Sequence, residues 1–240
     1  VEFNPDNSIM ASTSLFLVNE LEKTINKYFG KYFNTEDLNK SFSKYNIDLI
    51  SSNRFSFRQN REHTLGYNNE DGSVIRIFDN LYLRDTILHE TIHEIAQIIP
   101  PNGSGFRRRG NYIYSGINEA CTEYFAIYAF NNGEYQKMGD DYDCLYTPAV
   151  NAVNKLIKAG IFNLDDLMKA YFNGNIDYLR ENIEKYNIDF DEYMKSMSDG
   201  ITDYDRNLSL EDRIEAKNKM ERLTDQLITN KLLGNLKNNK

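Results

Sequence analysis

The reading of this chain turns on the stretch from Leu81 to Pro100, Leu-Tyr-Leu-Arg-Asp-Thr-Ile-Leu-His-Glu-Thr-Ile-His-Glu-Ile-Ala-Gln-Ile-Ile-Pro. Leu81, Leu88, Ile92, Ile95 and Ile99 recur at helical spacing and predict a helix over Leu81 to Ile99. Asp79 or Asn80 can cap it, and Pro100-Pro101 ends it. Two of the three histidines in the chain fall inside, His89 and His93. One turn apart, they point the same way, so both imidazoles can reach one metal ion. They border the apolar stripe instead of lying at its centre, which suits the floor of a cleft. Glu90 stands beside them, placed to handle the proton of a water activated by that ion.

A catalytic site of this kind takes three protein ligands and leaves a fourth position open. Asn118-Glu119-Ala120-Cys121-Thr122-Glu123 is the natural source of the third. A helix is predicted from about Ile117 to Phe130, stopped by Asn131-Asn132-Gly133, and on it Glu119 and Glu123 share a face. One of the two can bind metal while the other accepts a hydrogen bond from a histidine ring. Ala120, Phe125, Ala126 and Ala129 make this helix mostly buried, where an unpaired carboxylate is costly. Cys121 reads as packing on another face, and no base is placed to activate it.

His-Glu-x-x-His followed by Asn-Glu-Ala-x-x-Glu on a later helix resembles the gluzincin metallopeptidases, of which thermolysin is the best-known member. The resemblance covers Thr86 to Ala126 only. It implies a zincin-like fold, Zn2+ as cofactor, Glu119 as the third ligand and Glu123 as the carboxylate that orients His89. The connection from His93 to Glu119 is longer than in thermolysin, the supporting acid is Glu where thermolysin has Asp, and no histidine follows His93. A tyrosine can take the place of that missing histidine. Tyr112 lies seven residues before Glu119, a spacing that looks like that of anthrax lethal factor and the clostridial Pro-Pro endopeptidases. There, a tyrosine assists at the developing oxyanion. Tyr114 is the competing phenol.

Net charge of -8 over 240 residues argues against a general nucleic-acid or anionic-membrane binder. No apolar run approaches the roughly 20 residues of a membrane span. The first residue is Val and no signal-like segment follows, so a soluble, mature or trimmed chain is expected, secreted or not. Cys121 and Cys144 read as two unpaired thiols, with a single bridge as the alternative. His63 reads as structural or exposed. Arg107-Arg108-Arg109 is a basic cluster that reads as a solvated loop, with attraction of an acidic substrate as the alternative.

The rest of the chain supplies the frame. Leu15, Phe16, Val18, Leu21, Ile25, Tyr28 and Phe29 predict a first helix stopped at Gly30, and a short second one starts after Asn34 or Thr35, with Thr35 as its cap, and covers Glu36 to Tyr45. Ile47 to Ile50 is a short apolar run, Phe55 to Phe57 alternates, and His63 to Tyr67 and Ser73 to Phe78 are strand-like, with a hairpin turn over Asn68 to Gly72 between the last two. Asn102 to Gly116 reads as a polar loop, and the acidic stretch Gly139 to Asp143 as a lobe boundary. Helices follow from Thr147 to Gly160, from Asn163 to Gly174, from Asn175 to about Tyr186 and from Asp189 to about Ser198. Ser209 opens a last helix towards Gly234, and the residues after it read as frayed.

The expected architecture is a single α+β, predominantly helical catalytic domain. A small sheet and the active-site helix form one lobe (1–138), and an all-helical lobe follows (139–240). The expected activity is hydrolysis of a peptide or protein substrate by Glu90-assisted attack of a zinc-activated water. The alternatives are a non-catalytic or regulatory zinc protein of the same fold, and a metallohydrolase acting on a non-peptide amide.

Overall fold

Caps and glycine stops punctuate a predominantly helical chain. A computed structural model of the protein describes residues 19–42, 46–50, 66–68, 74–78, 83–98, 103–108, 111–136, 146–201 and 209–238. Leu15, Phe16, Val18, His63, the turn residues 69–72, the capping Asp79 and Asn80, Pro100-Pro101, Arg109, the acidic stretch 139–143 and Cys144 lie outside them. The described residues belong to two compact units, one within Val1–Ile98 and Ala126–Gln136, the other within Ile99–Phe125 and Lys137–Lys240. Residues 99–125 group with Lys137–Lys240 in the second unit.

In the first unit, α1 covers residues 19–29 and buries Leu21, Ile25 and Phe29. A 3-10 turn, Gly30–Tyr32, ends it. Helix α2 spans Thr35–Phe42. Its cap is Asn34, not Thr35: the Asn34 side-chain oxygen accepts from the Glu36 N–H at 3.0 Å. Strands β1 (Asn46–Ile50), β2 (Gly66–Asn68) and β3 (Val74–Phe78) pair in the order β1-β3-β2. β1 runs parallel to β3, with Asn46 opposite Val74, and β2 antiparallel, with Gly66 opposite Ile77. Helix α3, Leu83–Ile95, lies against β3 and β2. It ends at Ile95, short of the Ile99 expected. At its end Gln97 and Ile98 donate to carbonyls only three residues back, Glu94 and Ile95. Such a tightened 3-10 turn is a common way for a helix to close.

Helix α4, Ser115–Phe130, begins in the second unit and ends in the first. It stops where the sequence places Asn131-Asn132-Gly133. Asn132 and Gly133 adopt φ of 58° and 94°, the left-handed geometry that glycine and asparagine tolerate best. The Gly133 N–H closes the end on the Tyr128 carbonyl at 2.8 Å.

The segment before α4 is more ordered than the polar loop expected over 102–116. Gly103–Ser104 (β4) pairs antiparallel with Arg107–Arg108 (β5), and Tyr112–Tyr114 form a 3-10 turn. Polarity alone does not distinguish a hairpin this short from a loop, because its order comes from contacts made elsewhere in the chain.

The remaining helices follow their punctuation closely. Pro148 sits in the first turn of α5 (Thr147–Lys158). The Lys231 ammonium donates to the Ala159 and Gly160 carbonyls at 2.6 and 2.7 Å, closing the end of α5. The Asn163 side chain accepts from the N–H groups of Asp165 and Asp166 and opens α6 (Leu164–Phe172). Asn163→Ala is expected to lower the unfolding free energy by about 1 kcal/mol, read by urea denaturation. Asn175 opens α7 (Ile176–Glu184), and α8 follows over Phe190–Ile201. Ser209 and Asp212 exchange hydrogen bonds at the start of α9, which holds the Asp212 carboxyl below the usual carboxylate range. Helix α9 spans Leu210–Asn238 and passes through Gly234, where it was expected to end. One glycine costs a helix interior only about 1 kcal/mol, and no proline follows to break the ladder. Phe106, Phe125, Tyr171, Phe172, Phe190 and Tyr193 lie at the core of this unit, each no more than 1% exposed.

Candidate metal centre

The two histidines behave as their spacing predicts. His89 is buried and His93 half-buried on α3, where Leu88, Ile92 and Ile95 form the buried stripe. Their Nε2 atoms stand 3.1 Å apart. Two ligands held about 2.0–2.1 Å from one tetrahedral ion are separated by about 3.3 Å, so this spacing fits a shared metal. Glu90 is half-buried on the same helix. Thr91, between the pair, turns its hydroxyl inward to the Ile87 carbonyl at 2.7 Å and takes no part.

Ligand atoms of His89, His93 and Glu119 all lie within 4.8 Å of one another. Two ring nitrogens and a carboxylate oxygen make a donor set that can hold a metal ion. Glu119 is half-buried on α4, and Glu123, one turn on, is 3% exposed. Ile117, Asn118, Ala120, Cys121, Thr122, Tyr124 and Phe125 are buried around them, so the helix is enclosed on most of its surface. The Cys121 thiol is free, and burial pushes its pKa far up, leaving it a packing group.

Behind Glu119 lies a polar network that the sequence did not reveal. The Asn118 side-chain oxygen accepts from the Phe106 N–H at 2.9 Å and the Arg107 N–H at 3.2 Å, hanging the β4–β5 hairpin on α4. At the tip of that hairpin Gly105 has φ of 58°, and a Cβ there would come within 2.4 Å of the Tyr171 ring. Thr122 donates to the Asn118 carbonyl at 2.9 Å, so its oxygen must accept from the Tyr171 hydroxyl at 2.6 Å. Burial raises the Tyr171 phenol well above its ordinary value. The Glu119 carboxylate adds to the rise. Tyr171 therefore stays a donor. Tyr171→Phe removes one buried bond without orphaning Thr122, so a loss of about 1 kcal/mol is expected by urea denaturation.

The two candidate phenols differ in setting. Tyr112 is 50% exposed. Tyr114 is half-buried, with its ring 6.0 Å from that of Phe190 on α8. Arg107, in β5, is exposed. Among the described residues no helix is long and apolar enough to cross a membrane. Comparison of the chain with protein-family models, curated proteins and solved structures gives no match.

Proposed function

We propose that the protein is a zinc-dependent peptidase with a zincin-like, α+β architecture. The observation that carries the proposal is the convergence of His89, His93 and Glu119 to within 4.8 Å. It has the composition of a catalytic zinc site, two imidazoles and one carboxylate, with a base next in sequence to the first ligand. Zinc bound there supplies a Lewis acid that polarises a carbonyl and lowers the pKa of a water to about 7.

The chain's own residues supply the rest. Glu90 takes the proton of the attacking water on its carboxylate and passes it to the leaving amine nitrogen. Tyr112 donates a hydrogen bond to the oxyanion as charge develops there. Its exposure supports this role over Tyr114, which packs on Phe190. Glu123 accepts from the His89 ring and fixes its tautomer. Its depth supports that role, because burying a carboxylate this far is costly without a donor beside it. The short strands that precede α3 offer backbone to which an extended peptide can pair.

The test is protein purified without added metal, assayed by elemental analysis and against a peptide library. Close to one zinc per chain is expected, with cleavage that is lost on chelation and restored by zinc. Folded, metal-free protein that still cleaves would overturn the reading. Stoichiometric zinc with no peptide cleavage would favour the non-catalytic or non-peptide alternatives. The cleavage profile also defines the side-chain preference.

A further inference from the structure

The helix that carries Glu119 begins in an unusual way. The first N–H groups of a helix have no partner within it and are ordinarily satisfied by a residue just upstream. In α4 the Gly116 N–H instead donates to the Ser198 hydroxyl at 2.9 Å, from a residue far along the chain on α8. The same hydroxyl donates its proton to the Ile113 carbonyl at 2.8 Å. Ile113 is the middle residue of the 3-10 turn that bears Tyr112 and Tyr114. Ser198 is fully buried. The approach is close enough to require glycine: a Cβ on residue 116 would lie 2.4 Å from the Met197 carbonyl carbon and the Ser198 nitrogen. Two turns back on α8, Phe190 holds the Tyr114 ring.

We infer that Ser198 is a positioning residue for the metal centre, one hydroxyl that sets both the register of the Glu119 helix and the turn that presents Tyr112. Gly116 and Glu119 are one turn apart on the same helix, so a shift at the helix start moves the Glu119 carboxylate with it. The inference rests on the reading of Glu119 as a ligand.

The test is a double-mutant cycle on the full chain, with zinc affinity measured by competition against a chromophoric chelator. Ser198→Ala is expected to weaken zinc binding on the order of 10-fold. In a Glu119→Ala background the same change should cost less than about 2-fold, because the ligand it positions is gone. The thermal midpoint of the metal-free protein should fall equally in both backgrounds, since that part of the effect is structural. If Glu119→Ala weakens zinc binding but Ser198→Ala costs the same with and without Glu119, or costs nothing, the positioning role is overturned and the ligand set stands. If Glu119→Ala leaves zinc affinity unchanged, the ligand set itself falls and this role with it. Should Ser198→Ala fail to fold, Ser198→Cys, which keeps the branching with a slightly larger and weaker donor, takes its place in the cycle and is read by the same criteria.

Discussion

Glu90→Gln is expected to keep close to one zinc per chain and to lower kcat/KM for a cleaved peptide about 1,000-fold. The substitution preserves the shape of a half-buried side chain and exchanges one acceptor oxygen for a donor amide, so packing on α3 should change little. What it removes is the ability to accept a proton. A neutral amide cannot take one from the attacking water, and it has none of the right acidity to return to the leaving amine. The loss should therefore fall on kcat, with KM and zinc content nearly constant. Undiminished turnover would show that another group is the base. Loss of zinc together with activity would show that Glu90 helps hold the ion.

The second large effect separates the two acids of α4. Glu119→Ala should weaken zinc binding by more than about 100-fold, whereas Glu123→Ala should cost about 10- to 100-fold, as removal of a ligand's hydrogen-bond partner does. The stability of the metal-free protein should move in the opposite order. Glu123 is almost fully buried and Glu119 half-buried, so truncating Glu123 disturbs more packed surroundings. If Glu123→Ala proves the more damaging to zinc binding, the two roles are exchanged. Competition with a chromophoric chelator measures the affinity, and urea denaturation of the chelated protein measures the stability.

Much of the frame was legible in the sequence because its signals are local. Asn163, Asn175 and Ser209 opened helices where capping chemistry placed them, and Asn132-Gly133 closed α4 with left-handed backbone. The errors were also local. Asn34 took the cap expected of Thr35, α3 tightened before residue 99, and α9 continued through Gly234. In each case two neighbouring residues offered the same function, or one weak breaker stood alone.

At the site, the sequence by itself determined that His89 and His93 face one point, because an i, i+4 pair on a helix is fixed by backbone geometry. It also determined that Glu119 and Glu123 share a face. That Glu119 lies in one donor group with the histidines came only from the tertiary structure, with Glu123 buried one turn on. Tertiary structure alone also decided how the hairpin and the tyrosine turn are held, through Asn118, Tyr171 and Ser198. The reason is one of range. Periodicity and capping report on residues a few positions apart, but the hydroxyls of Tyr171 and Ser198 reach partners 49 and 82 positions away, a distance no local pattern encodes.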